Sequence, residues 1–190
     1  MAKNQYLALC LTVAFAPALA ANPVQPVSTL GFQELRLGMS QKTVSRTRKL
    51  VCYLAQPGEK LCTVHNPGPV DKIRIEQIEL VFSDSILGRI SISIGERGAT
   101  TPNFDGTGTW LSYKLITLTE SLNNRFGKHE QRQTPECPRS RGCRGAPMKN
   151  LLKWRAAGGT VRLTYWEATY LGFPKLEFLS EQYARTHSYL

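Results

Sequence analysis

Acid and histidine are scarce in this 190-residue chain, with 14 Asp and Glu against 24 Lys and Arg and only three histidines. Long apolar runs are scarce too. After the first twenty residues none is long enough to cross the ~30 Å hydrocarbon core of a bilayer as a helix. No zinc-binding helix motif, nucleophile elbow or Gly-rich phosphate loop occurs. These absences point away from catalysis, and from a bound metal or cofactor.

What is present begins at the N-terminus, where Lys3 precedes an apolar run from Tyr6 to Ala16 and an ending Pro17-Ala18-Leu19-Ala20. Small residues at 18 and 20 suit a signal peptidase, so residues 1–20 are expected to be a signal peptide cleaved after Ala20, with the periplasm or the exterior as destination. Cys10 follows Leu7-Ala8-Leu9 and lacks the small neighbour of a lipid-attachment site. Without residues 1–20 the chain keeps 23 basic and 14 acidic side chains, a charge near +9. Its remaining length is enough to bury an ordinary core.

Four cysteines are left, Cys52, Cys62, Cys137 and Cys143. An even number in an exported chain reads as a disulfide set. Local pairing is favoured among the three connectivities. Pro57-Gly58 would fold Cys52 against Cys62, while Pro138 and Gly142 lie in a short loop between Cys137 and Cys143. A four-thiolate zinc site needs pairs spaced by two to four residues, and neither pair has that spacing.

Along the chain, residues 21–29 read as an extended leader. Ser40 can cap a helix over residues 41–49, with Met39 stapled to Val44. Ile73, Ile75, Ile78, Leu80 and Phe82 alternate with polar residues and slip by one near Glu76-Gln77, predicting a bulge. Ile90, Ile92 and Ile94 alternate likewise, so a hairpin turning at Ser83-Asp84-Ser85 is expected. After a Gly-, Pro- and Thr-rich linker at 98–109, Leu111, Leu115, Leu118, Leu122 and Phe126 form the stripe of a covering helix that ends at Gly127. Val161, Leu163 and Tyr165 follow the Gly158-Gly159 turn as a strand, Lys175 to Leu179 make another, and 183–190 reads as a polar tail. Helix, cysteine pair and strands thus occur twice, in halves 30–97 and 110–182. The expected class is α+β, an antiparallel sheet with helices on one face.

The segment Leu35-Arg36-Leu37-Gly38-Met39-Ser40 before a short helix, then a cysteine loop and an apolar hairpin, resembles small exported proteobacterial proteins. Their fold is similar to that of the β-lactamase inhibitor protein and of the small lipoprotein of the outer-membrane barrel-assembly machine. The Phe126-Gly127-Lys128 helix exit followed by Trp154-Arg155 and a strand carries the same likeness. The lipid-attachment cysteine of that lipoprotein is missing, and no inhibitory loop maps onto this chain residue by residue. The resemblance implies a binding scaffold rather than a catalyst.

Basic residues crowd between Lys128 and Arg155, around the loop Cys137-Pro138-Arg139-Ser140-Arg141-Gly142-Cys143-Arg144. A disulfide there would pre-order Arg139, Arg141 and Arg144, whose forks suit carboxylates and phosphates. With Arg132 beside them they are the candidate anion-binding residues. Trp166 breaks the inward alternation of Val161, Leu163 and Tyr165 and is the candidate contact ring, whereas Trp110, Phe126 and Trp154 fit the core. The function expected is non-catalytic binding of an anionic envelope component or an acidic protein. The alternative is a cationic nucleic-acid-binding or ribonuclease-like protein using His65, His129 and Lys128, although an exported protein seldom meets nucleic acid.

Overall fold

A computed structural model describes residues 29–69, 74–95, 107–135, 148–166 and 173–187, the side chains of 107–114 excepted. A small hairpin, β1 (Gly31–Phe32) and β2 (Leu35–Arg36), precedes helix α1 (Gln41–Thr47). Four strands follow: β3 (Leu50–Gln56), β4 (Glu59–Val64), β5 (Ile75–Ser83) and β6 (Ile86–Ile94). The second series is helix α2 (Thr107–Phe126), then β7 (Glu130–Pro135), β8 (Met148–Ala156), β9 (Gly159–Trp166) and β10 (Lys175–Ser180). Helix α3 (Glu181–Thr186) comes last.

The eight strands after the first hairpin form one antiparallel sheet in the order β3-β4-β5-β6-β10-β9-β8-β7. It consists of two four-stranded meanders, each preceded by a helix, joined where β6 pairs with β10. The order is a palindrome: each meander places its first strand at an outer edge and its last at the middle.

Local chemistry explains the turns. Asp84 and Ser85, both at positive φ (50° and 66°), make the two-residue connection of β5 to β6 whose twist matches antiparallel strands. The register slips between Ile75 and Gln77, at the bulge that the alternation predicts. Gly127 ends α2 at φ 84°, its N–H donating to the Asn123 carbonyl at 2.8 Å. Ser40 caps α1 through its side chain, which accepts from the Thr43 N–H.

Val44 of α1 and Leu122 of α2 share one buried cluster with Ile78, Leu80, Ile90, Ile92 and Trp154, among others. This is the helix-covered face, and Leu115, Leu118 and Phe126 pack against it. Two expectations need correction. Thr107–Thr109, assigned to the linker, are the first residues of α2. Gly108 costs ~1 kcal/mol in a helix, a penalty that one residue in a 20-residue helix can absorb. The assumed polar tail begins as helix, and α3 lies on the opposite face, where Tyr183 forms a separate buried cluster with Val81 and Leu179. Ser180 makes this possible by accepting the Tyr183 N–H as N-cap.

Cys52 and Cys62 sit directly opposite each other on β3 and β4 and form a disulfide. Cys137 and Cys143 lie outside the described residues, as do residues 1–28.

Candidate functional site on the uncovered sheet face

Cross-strand register defines what stands together on the face away from α1 and α2. Directly opposite residues of neighbouring strands share a face. One row therefore runs Ser91, Glu177, Arg162, Lys153, and the next Ser93, Lys175, Thr164, Leu151, Arg132. Lys149 pairs with Trp166 one step further on, its ammonium 5.6 Å from the indole centroid. Of the described helices only α3 packs on this face, against β6, β9 and β10.

At one end α3 walls the face. Tyr183 lies over Gly88, where a Cβ would come within 3.1 Å of the tyrosine ring. Gly88 is the extra residue of a bulge, since Val81 pairs with Arg89 and Phe82 with Leu87. His187 stacks on Tyr183 with centroids 4.0 Å apart and 10° between planes, and its Nε2 reaches Glu59 at 3.0 Å. The Arg89 guanidinium lies 5.8 Å from the Tyr183 centroid. Burial pushes the Tyr183 hydroxyl above the usual phenol range, against the opposing influence of Arg89.

Between α3 and Trp166 lies a depression of about 240 Å³. Among the described residues four cationic side chains line it, Arg89, Lys149, Arg162 and Lys175, with one carboxylate, Glu177. Leu151, Leu179 and Trp166 supply apolar surface. Arg89 Nε is buried with no hydrogen-bond partner among the described residues. Arginine and lysine donate and cannot accept, so this surface presents mainly hydrogen-bond donors and positive charge.

Of the residues singled out from sequence, Trp166 and Arg132 are brought to this face, Trp166 lining the depression and Arg132 in the row of Lys175. Arg139, Arg141 and Arg144 lie outside the described residues, in the connection that leaves Pro135 and returns at Met148 beside Lys149. Arg89, Arg162 and Lys175 were not singled out, and Lys149 only as part of the basic run between Lys128 and Arg155. Alternation marks Arg162 as outward, but only the pairing of β6 with β10, β10 with β9 and β9 with β8 collects these cations.

The histidines do not converge. His65 directly follows β4 and His129 directly precedes β7, so at ~4.8 Å per strand the six intervening steps separate them by roughly 30 Å. Trp154 is core, as expected. Among the described residues no group of three His, Cys, Asp or Glu side chains is placed to hold a metal. No helix of the described residues is long and apolar enough to cross a membrane. No protein-family model, curated protein or solved structure matches the chain.

Proposed function

We propose that this is an exported, non-catalytic binding protein that takes an anionic partner on the uncovered face of its sheet. One observation supports it above all: four cationic side chains from four strands, β6, β8, β9 and β10, converge on one depression with a single carboxylate among its described lining residues. Like charges so gathered repel one another, and an anion relieves that repulsion. Paired strands fix their backbone positions, so binding has only the side chains left to order. Leu151 and Trp166 add apolar contact, which suits a partner that is more than a free small anion. The signal peptide expected at residues 1–20 makes an envelope polymer or an acidic protein the class of partner within reach.

Lipopolysaccharide, poly-glutamate and a single-stranded oligonucleotide are suitable probes, titrated over a range of salt. Binding should weaken as salt rises, and Arg89→Gln with Lys175→Gln should lower affinity ~tenfold or more, corresponding to ~1.4 kcal/mol. A parent chain that binds none of the three at low salt, or a double variant that binds as the parent does, removes this reading. Clear preference for the oligonucleotide would move the protein to the nucleic-acid class.

A further inference from the structure

The two edges of the sheet are unlike. β7, at one edge, carries Glu130, Arg132 and Pro135, residues that discourage strand addition. β3, at the other, reads Leu-Val-Cys-Tyr-Leu-Ala-Gln, with no charge and no proline. Val51, Tyr53 and Leu54 are 61%, 56% and 69% exposed. No described strand lies beyond β3.

The direction of its backbone groups follows from two observations. Lys49 accepts from the His65 N–H at 3.1 Å, so odd positions exchange hydrogen bonds with β4. Cys52 and Cys62 stand with Cα atoms 4.0 Å apart, the close spacing of a pair that does not exchange them. The N–H and C=O groups of Leu50, Cys52 and Leu54 therefore point away from the sheet. The disulfide holds this edge against β4, so it is ordered before any partner arrives.

We propose that β3 is a homodimerisation strand, pairing antiparallel with β3 of a second copy about a twofold axis at Cys52. The sequence is self-complementary in that register. Cys52 would meet Cys52 of the second copy, and Leu50 would meet Leu54 twice on the helix-covered side. On the other side Val51 would meet Tyr53 twice, the β-branched and aromatic pairing that stabilises antiparallel strands. No charged residue of the strand opposes its like. The register ends where β3 bulges between Leu54 and Gln56. A five-residue ladder is a small interface, so the dimer is reversible and concentration-dependent. Each copy carries a net charge of +10 over the full sequence, hence screening by salt should tighten it, opposite to the behaviour of the anion site.

Sedimentation equilibrium of the disulfide-intact chain, with residue-resolved amide exchange at low and high concentration, tests this. Mass should rise toward the dimer with concentration, and more readily when salt is raised from ~0.02 M to ~0.5 M. Over the same range the amides of Leu50, Cys52 and Leu54 should slow, while those of Val51 and Tyr53, already bonded to β4, should not change. Val51→Lys with Tyr53→Lys, both at exposed positions, should give a folded monomer; Ile116→Lys, exposed on α2, should leave the dimer intact. A parent monomeric at all concentrations would overturn the proposal and leave this edge to a strand of another protein. So would a dimer that survives the double lysine change, or one in which the three outward amides exchange as in the monomer.

Discussion

Asn123 on α2 accepts the indole N–H of Trp154 on β8 at 3.0 Å, in the middle of the helix-covered face. The indole nitrogen can only donate, which fixes the amide with its oxygen toward the ring. The same Oδ1 lies 2.9 Å from His129 Nδ1, so that histidine nitrogen carries the proton. One side chain thus links the long helix, the start of β7 and the largest buried residue of the sheet.

Asn123→Ala would leave the fully buried indole N–H without its partner, and should cost about 1–3 kcal/mol. Asn123→Ala in a Trp154→Phe background should cost less, because no indole donor is then stranded. Urea titrations of the parent and the three variants give the coupling directly. Equal costs in both backgrounds would mean that the hydrogen bond contributes nothing net.

Burial of Tyr183 makes a pH prediction. Its hydroxyl titrates higher in the folded chain than in the unfolded one, so its contribution to stability is fully present below pH ~10, the unfolded value, and is lost as pH rises through the folded value. Stability should therefore fall on the alkaline side, and Tyr183→Phe should remove that part of the fall. Melting temperatures between neutral pH and pH ~11 decide it. Parallel curves for parent and variant would show that the phenol is as accessible to ionisation in the folded state as in the unfolded.

The contrast between what the sequence revealed and what it hid follows from range. Ser40, Asp84-Ser85, Gly127 and the slip at Glu76 are decided by chemistry within a few residues, and each is where the pattern places it. Cys52 opposite Cys62 is nearly as local, since the Pro57-Gly58 turn sets it. The α3 helix is different: Tyr183 has a buried place only because Gly88, far away in sequence, is bulged out of β6 without a side chain. The basic depression depends on the β6 to β10 junction, a pairing that no spacing in the sequence encodes. Arg132 and Trp166 were legible because charge density and broken alternation are properties of neighbours. Arg89 and Lys175 belong to different meanders and become one site only through that junction.

Gly159 offers a sharper stability test than an ordinary core truncation. A Cβ there would lie 2.0 Å from the carbonyl oxygen of Leu179, a backbone atom in the paired strand β10. Relief requires β9 and β10 to separate, beside the strand that joins the two meanders. Gly159→Ala should cost ~1–3 kcal/mol or more, as overpacking does, whereas Ala157→Gly in the neighbouring exposed turn should cost far less. Denaturant midpoints with unchanged slopes would confirm the difference, and equal midpoints would contradict the close approach of the strands.

The sign of charge in the depression supplies the last test. Glu177 stands between Ser91 and Arg162 on the uncovered face and is the lone carboxylate among the described residues that line the site. If anions bind there, Glu177 opposes them, and Glu177→Gln should strengthen binding of a polyanion such as poly-glutamate. A full charge at contact distance in water is worth ~1 kcal/mol, so the gain should be about fivefold at low salt and should shrink as salt is added. Removing a charge elsewhere gives the control. Glu181, exposed on α3 and paired with Arg185, can be changed to Gln in the same way, and its effect should be smaller because it does not line the depression. Isothermal titration of the parent and both variants separates a local effect from that of net charge, which the two substitutions alter equally. Equal gains from Glu177→Gln and Glu181→Gln would mean that the polyanion senses only the overall charge, and that the four cations beneath it do not form a site.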